Sequence, residues 1–487
     1  MIYFMTKGHT WEHDVQTIIQ VFYPNTHYYT TEQPVQEGIT IESILQGEKA
    51  IAVFYENGIQ KEQWEMLCQK GQSTEKEKKR VVKGSIYQLL KQKTAMRPQW
   101  GFITGVRPAK AVNELLDKGY TPQQCICYLT EGYDVTPKKA KLALDVAQSE
   151  REILSQNGGE DISLYVGIPF CPTRCLYCSF TSYPLTQYQS RVEQYLQALK
   201  KELAFLGEYA KNLQLKTVYV GGGTPTSLTE EQMKWLFEKM AEHFDLQKQG
   251  LEFTVEAGRA DTITKGKLSV MKEYGVNRIS INPQTMNQKT LHIIGREHTV
   301  EDVKKVYFQA RELGHDNINM DLILGLPQET AEDVEQTMAE MEKLRPDSLT
   351  IHTLAVKRAS RLKENFDLYT LTKAKEMEKM ISIAFERAEA MGMKPYYMYR
   401  QKNMVGNFEN VGYCMPHKQC VYNVQIMEEK QTILAAGAGA STKTVDFSQN
   451  RIERIFNVKS VEEYISRIDE MIERKRQGLY GLQKNMF

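Results

Sequence analysis

The stretch YVGIPFCPTRCLYCSF, residues 165–180, decides how the rest of the chain is read. Its cysteines, Cys171, Cys175 and Cys178, have the spacing C-x3-C-x2-C. A loop of that length wraps one face of an iron–sulfur cubane and offers three thiolates to three irons. The fourth iron is then left without a protein ligand, and an open metal position lets a small molecule bind there. The alternative is a zinc knuckle short of one ligand, or simply buried thiols. A structural zinc site wants a fourth Cys or His nearby, and residues 179–240 contain neither.

Outward from this loop the chain acquires a rhythm. The β-rich run DISLYVGI (161–168) precedes it. LKTVYV (215–220), LEFTVEA (251–257), NRISIN (277–282), NINMDLI (317–323) and DSLTIHTL (347–354) follow. Between them, 188–208, 229–243, 262–274, 299–313 and 330–343 have helical spacing. Strands alternating with helices predict βα units and a parallel sheet. The expectation is an α/β fold, a partial (β/α)6 barrel, with its chemistry on the loops after the strands. Beyond residue 392 the pattern is irregular. YNVQIM (422–427) and TILAAG (432–437) are expected as late strands, and 459–476 as a closing helix.

The N-terminal part differs. Residues 1–60 carry seven acidic and two basic side chains, and residues 61–110 carry twelve basic and four acidic ones. A solvated, lysine-rich helical face explains the second stretch, and a patch for carboxylate or phosphate partners is the sharper alternative. Residues 107–155 predict helices, with Gly119 as a C-terminal stop. Thr121-Pro122 and Thr136-Pro137 supply capping hydroxyls before first-turn prolines. QNGGED (156–161) is a break. The expected division is therefore 1–155 (N-terminal accessory region, mixed α/β then helical), 161–392 (barrel) and 393–487 (small C-terminal extension).

Composition narrows the function classes. The 487 residues are 41% hydrophobic and 25% charged, which argues against wholesale disorder. Lys plus Arg total 62 and Asp plus Glu total 61, so net charge offers no general case for nucleic acid. No apolar run reaches 18 residues, so no membrane-spanning helix is expected. The start, MIYFMTKGHTWEHDV, has His, Glu and Asp where a secretory signal would be apolar, and the expected location is the cytoplasm. Clustered cysteines among only eight then point to metal or redox chemistry.

Four further motifs end the later strands. Gly221-Gly222-Gly223-Thr224-Pro225-Thr226 follows the second strand, and its glycines let backbone amides approach a ligand closely. Glu256 ends LEFTVEAG, where a carboxylate can accept from an ammonium group. Arg278-Ile279-Ser280-Ile281-Asn282-Pro283-Gln284 is followed by Gly295-Arg296-Glu297-His298. Asp321 lies inside an apolar strand, so it needs a defined partner.

Taken in order, YVGIPFC-x3-C-x2-C, GGGTPT, VEA, RISINPQ, GREH and DLILGLP resemble one family over roughly residues 161–440. It is the oxygen-independent coproporphyrinogen III oxidase-like family of the radical SAM superfamily, with subtypes HemN, HemW and HemZ. The long N-terminal region and the form of the cysteine loop look most like HemZ. The resemblance implies a 4Fe–4S cluster on Cys171, Cys175 and Cys178, with S-adenosylmethionine (SAM) chelating the open iron. One electron then releases methionine and a 5′-deoxyadenosyl radical that abstracts hydrogen. It implies Tyr165, Gly222, Gly223, Thr224, Glu256, Gln284, Arg296 and Asp321 as SAM-site residues, and Ala355 as an adenine contact. The implied partners are a tetrapyrrole substrate and an electron donor such as flavodoxin or ferredoxin, with no nucleic acid and no membrane.

The implied reaction is oxidative decarboxylation of coproporphyrinogen III propionates to vinyl groups. Anaerobic methylation and ring opening of haem, or haem trafficking of the HemW kind, are the alternatives. Three departures bear on that choice. Gly167 stands where many relatives have His, Phe180 stands where the HemN subtype has a further cysteine, and only about 47 residues follow Gly437-Ala438-Gly439-Ala440. The N-terminal region is expected to cover the barrel mouth instead. Cys414, His417 and Cys420 are read as a second metal, haem or thiol site, or as a plain loop. Tyr396, Tyr397, Tyr399, Arg400, Lys402 and Tyr413 are read as a tetrapyrrole-holding group or as ordinary packing. Cys125 and Cys127 point to different helix faces and share no metal.

Overall fold

Most residues of the six β-rich runs are buried, which suits a parallel sheet covered on both faces. The computed structural model describes residues 1–24, 26–69, 71, 73–357, 359–364, 369, 372–401, 408–446 and 451–483. Two compact units divide it: Met1–Ala147 with Tyr399–Glu409, and Gln148–Met398 with Asn410–Phe487.

The first unit begins with β1 (Ile2–Lys7), α1 (Glu12–Phe22), β2 (Tyr28–Thr30), β3 (Ile39–Gln46), β4 (Lys49–Glu56) and β5 (Ile59–Leu67). The strands form one sheet in the order β2-β1-β3-β4-β5. Helix α1 and α2 (Glu75–Thr94) cover it, burying Ile18, Ile19, Val81, Val82 and Ile86 against Phe4, Ile41 and Phe54. The basic stretch is largely a helical face whose lysines find carboxylates: Lys76 with Glu114, Lys79 with Glu75, and Lys91 with Asp134. Helices α3 (Pro108–Asp117), α4 (Pro122–Tyr133) and α5 (Pro137–Leu154) follow. Thr121 closes a capping box on α4, and Gly119 takes φ +83 just past α3. Cys125 is buried on α4 while Cys127 is half-buried. The unit boundary falls inside α5 rather than at QNGGED, because that helix runs unbroken to Leu154.

The second unit contains β6 (Asp161–Ile168), β7 (Phe170–Cys171), β8 (Tyr183–Pro184), α6 (Leu185–Tyr188), α7 (Val192–Ala210) and β9 (Gln214–Gly222). Next come α8 (Glu230–Ala241), β10 (Glu252–Glu256), α9 (Lys265–Glu273), β11 (Arg278–Ser280), α10 (Gln288–Ile293) and α11 (Val300–Glu312). Then come β12 (Ile318–Leu324), α12 (Ala331–Leu344), β13 (Ser348–Thr353), α13 (Arg361–Glu364) and α14 (Ala374–Ala390). β6, β9, β10, β11, β12 and β13 pair in parallel in that order, which is the expected six-stranded partial barrel.

The chain from residue 393 departs from expectation. It supplies β14 (Lys394–Arg400), β15 (Glu409–Cys414), α15 (Val421–Glu428), β16 (Thr432–Ala436), β17 (Ser441–Asp446) and β18 (Arg451–Phe456). These five strands extend the same sheet at both ends, so they are not a separate extension. YNVQIM is helix α15, not a strand. The buried carboxylate of Glu252 accepts from the Val421 N–H at 2.6 Å and the Tyr422 N–H at 3.0 Å, satisfying two first-turn donors. TILAAG is strand β16, parallel to β6. The closing helix is two, α16 (Val461–Ser466) and α17 (Ile468–Gln483). No helix among the described residues is long and apolar enough to cross a membrane.

Candidate active site

The cysteine loop leaves β6 at the C-terminal edge of the parallel sheet, and the chain around it pins it down. Leu176 N–H bonds Ile294 O at 3.0 Å, and Leu362 N–H bonds Leu176 O at 2.9 Å. Buried Arg259 donates to Thr173 O at 3.1 Å and to its hydroxyl at 2.8 Å, while Asp261 holds the guanidinium at 2.6 Å. Arg174 bonds Ala359 O. Cys171 and Cys175 are buried and Cys178 is half-buried. Burial pushes the Cys171 thiol up to about 11 and raises Cys178, so a cation is needed to draw out the thiolates.

The glycine turn of β9 lies against this loop. Gly223 N–H bonds Ile168 O and Thr224 N–H bonds Phe170 O, both at 2.8 Å. The Thr224 hydroxyl is 3.4 Å from Cys171 Sγ. A Cβ on Gly223 would stand 2.6 Å from Phe170 O and 3.0 Å from Cys171 Sγ, so only glycine fits. Gly222 has φ +113, and a Cβ there would sit 3.3 Å from the Tyr165 hydroxyl.

Three tyrosines stack below the turn. Tyr219 and Tyr422 rings are 4.4 Å apart, and Tyr165 stands 6.3 Å from each. The Tyr219 hydroxyl donates to Glu256 Oε1 at 2.5 Å, and Gly222 N–H donates to Oε2 at 3.3 Å. Burial pushes Glu256 up to about 7, opposed by Tyr219 and assisted by the charge on Asp321. Asp321 is held below its usual range: burial raises it, but His352, Asn319 and Thr350 outweigh that. Asn319 Nδ2 reaches its Oδ1 at 2.7 Å, and His352 Nε2 lies 3.8 Å from Oδ2.

Gln284 follows β11 with φ +68, a left-handed conformation that costs a non-glycine residue. Asp321 O accepts its N–H and Ile323 N–H bonds its carbonyl, each at 2.9 Å, which fixes it beside β12. Its buried Oε1 has no partner among the described residues, nor has Nε of buried Arg296. Arg296 also donates to Asn282 O at 2.6 Å, Gly258 O at 3.2 Å and Tyr177 OH at 3.2 Å. Ala355 stands just past β13 at the same edge.

Of the residues expected in the SAM site, the glycine turn, Glu256, Gln284 and Ala355 lie at or just past the C-terminal ends of β9, β10, β11 and β13, Tyr165 and Asp321 lie within β6 and β12, and Arg296 lies between α10 and α11. Sequence reasoning missed Tyr219, Tyr422, Arg259 and His352. The alternation Ser348, Thr350, His352 along β13 carries a signal for His352, since Ser348 and Thr350 both bond Asn319. Arg259 leaves no such signal in its loop.

Two groups with open alternatives are also placed. Cys414, His417 and Cys420 do not close around a single ion among the described residues. Cys414 pairs opposite Ser348 in β15, while Cys420 Sγ lies 3.5 Å from Glu252. Four of the aromatic and cationic group are buried in the packing. Tyr396, Tyr397 and Tyr413 are buried in β14 and β15, and Arg400 is buried over Trp100 with Ile103 O at 2.6 Å. Tyr399 lies with Arg400 in the first unit, and Lys402 falls outside the described residues.

No three His, Cys, Asp or Glu side chains among the described residues close around a single ion. A cubane instead gives each thiolate its own iron. A three-thiol loop beside a glycine turn, at the C-terminal edge of six parallel strands, defines a radical SAM barrel. The family description "Radical SAM superfamily" matches residues 165–341. More narrowly, the chain belongs to the oxygen-independent coproporphyrinogen III oxidase-like family that includes HemN, HemW and HemZ. It is 38% identical over 95% of its length to the oxygen-independent coproporphyrinogen-III oxidase-like protein HemZ of Bacillus subtilis, covering 94% of that protein. It is 33% identical to the haem chaperone HemW of the same organism, across 63% of this chain and 76% of that one. The solved HemN of Escherichia coli, a coproporphyrinogen III oxidase, shares the fold with a TM-score of 0.51 at 22% identity, over 67% of this chain and 73% of that one. This family works with a 4Fe–4S cluster and SAM.

The residues present fit both groups. Three thiols on a fastened loop offer a donor set with no fourth protein ligand among the described residues. The unpartnered Gln284 Oε1 and Arg296 Nε offer one acceptor and one donor to a polar ligand.

Proposed function

We propose that this protein is a radical SAM enzyme that oxidatively decarboxylates propionate side chains of a porphyrinogen, with coproporphyrinogen III as substrate. One observation carries the proposal: three thiols, a glycine turn and two carboxylates of opposite titration behaviour share one sheet edge in a chain related along 95% of its length to a coproporphyrinogen-III oxidase-like protein.

In this reading Cys171, Cys175 and Cys178 would hold the cluster, beside which SAM would bind. Together, when bound, these groups supply hydrogen-abstracting chemistry. The chain positions them. Gly222 and Gly223 leave room for backbone approach. Glu256 accepts from the SAM ammonium group, and Arg296 donates to its carboxylate. Gln284 and Asp321 would serve the ribose hydroxyls, and Ala355 the adenine. The tyrosine stack closes the floor and excludes water. A hydrogen is removed from the propionate carbon beside the ring. Loss of carbon dioxide and one electron, which passes to an acceptor, leaves the vinyl group.

The test is an anaerobic assay of the reconstituted protein with SAM, dithionite and coproporphyrinogen III, following deoxyadenosine and vinyl products together. Haem in place of coproporphyrinogen discriminates the methylating, ring-opening alternative.

A further inference from the structure

Thr173 is the middle residue of the three between Cys171 and Cys175, and buried Arg259 grips it twice. Nη1 donates to the Thr173 carbonyl at 3.1 Å and to its hydroxyl at 2.8 Å. Asp261 takes the other side of the same guanidinium: Nε reaches Oδ1 at 3.0 Å and Nη2 reaches Oδ2 at 2.6 Å. Buried His298 backs that carboxylate, with Nδ1 3.5 Å from Oδ1. Burial raises the Asp261 carboxyl, yet His298 and Arg259 outweigh it and hold the group below its usual range. A planar fork with five donors can serve a carboxylate and a loop at once, which a lysine ammonium cannot.

The grip reaches two further loops of the site. The Arg259 carbonyl accepts from the Thr262 N–H at 3.0 Å and from its hydroxyl at 2.7 Å. The Thr262 hydroxyl lies 2.7 Å from that of Thr226, which ends the glycine turn. The Thr173 hydroxyl, accepting from Arg259, donates onward to Gly295 O at 3.3 Å, next to Arg296. One residue therefore joins the loops after β6, β9 and β10 to the segment that carries Arg296. None of these bonds involves a metal, so protein groups alone give the loop its shape.

We propose that Arg259, anchored by Asp261, is a positioning residue that latches the cysteine loop in its cluster-binding shape before the cluster arrives. This role rests on the radical SAM reading and identifies what presets the ligand loop of that site. A loose loop must give up backbone freedom when its thiols take metal, and a loop already ordered does not. Groups that orient metal ligands from behind change metal affinity by about 10- to 100-fold when they are removed. Arg259 bonds Thr173 and not a thiol, so its substitution leaves all three ligands in place.

The experiment uses the full-length protein, first metal-free and then reconstituted. Two variants remove the latch: Arg259→Lys keeps the charge, and Arg259→Met/Asp261→Asn leaves no carboxylate without its cation. Hydrogen exchange of the metal-free protein, read by mass spectrometry over residues 172–178, is expected to quicken about tenfold in both variants. Exchange in β9 and β12 should stay within about twofold of the unaltered protein. After reconstitution, iron release to a chelator should also quicken about tenfold. The EPR signal of the reduced cluster should change shape in Arg259→Lys, which a loss of fold stability alone does not produce. Unchanged exchange over 172–178 in both variants would overturn the proposal. So would equally faster exchange in β9 and β12, which would make Arg259 a general fold residue. Exchange in the metal-free protein decides the latch even if the unaltered protein takes up no cluster, which is the separate failure of the radical SAM reading.

Discussion

The Tyr219 hydroxyl holds Glu256 by a 2.5 Å hydrogen bond to Oε1. This bond fixes the direction of a carboxylate that burial pushes up to about 7, while Asp321 close by is kept ionised. Environments that drive two neighbouring carboxylates apart assign them different work. Removing the Tyr219 hydroxyl destabilises the anionic form of Glu256. Tyr219→Phe is therefore expected to weaken SAM binding by about 1.5–3 kcal/mol near neutral pH, and Glu256→Gln to do at least as much. Calorimetric titration checks both, and iron content should stay near normal in each. An unchanged affinity in Glu256→Gln removes Glu256 from the ligand site.

The pH dependence follows with a definite sign. With a pKa near 7, Glu256 takes up a proton as pH falls. An ammonium partner favours the carboxylate, so binding below that pH must first expel the proton. SAM affinity should fall as pH drops from 7 towards 5.5, by at most about tenfold per unit. Asp321, held below its usual range, stays ionised over that interval. Glu256→Gln should flatten the profile, and an equal slope in that variant refutes the assignment.

The thiol loop makes the sharpest compositional prediction. Cys171→Ala, Cys175→Ala and Cys178→Ala should each lose the cluster and SAM cleavage, since two thiolates cannot hold three irons. Cys68, buried in the core of the first unit, should be dispensable for iron. Iron and sulfide analysis with absorption spectra after reconstitution decides this. Full iron with undiminished deoxyadenosine in any trio variant would falsify the ligand set.

The barrel was legible because its signals are local. Apolar β-rich runs separated by capped helices mark all six parallel strands, and β6 matches 161–168 residue for residue. The motifs after those strands fall together because every parallel strand delivers its following loop to the same edge. What stayed hidden depends on contacts distant in sequence. Tyr422 reads as part of a strand, yet the Glu252 carboxylate, 170 residues away, makes its segment a helix. Tyr396 and Arg400 look like ligand-binding chemistry, and only burial identifies them as packing. Tyr219 gains its role through Glu256, 37 residues on.

Behind the Gly437–Ala440 turn lies a buried ion pair that should matter for stability. Lys475 Nζ meets Glu202 Oε1 at 2.6 Å, both fully buried, and Asn457 and Tyr464 also bond Glu202. Glu202 Oε2 in turn accepts the Gly437 N–H at 2.8 Å. Lys475→Met leaves a buried carboxylate without its cation, at an expected cost of about 3–5 kcal/mol. Urea unfolding of that variant checks it. Replacing both partners, as Lys475→Met with Glu202→Gln, should recover part of the loss. A single variant as stable as the unaltered protein contradicts the pair's role.

The activity proposed for this site is decarboxylation of a porphyrinogen. The most direct measurement is carbon dioxide released from coproporphyrinogen III by the anaerobic, reconstituted protein, set against deoxyadenosine formed in the same vessel. Release in proportion to deoxyadenosine is expected, with both lost in Cys175→Ala. No tetrapyrrole product, together with tight haem binding that survives loss of the cluster, would contradict it and identify a haem carrier.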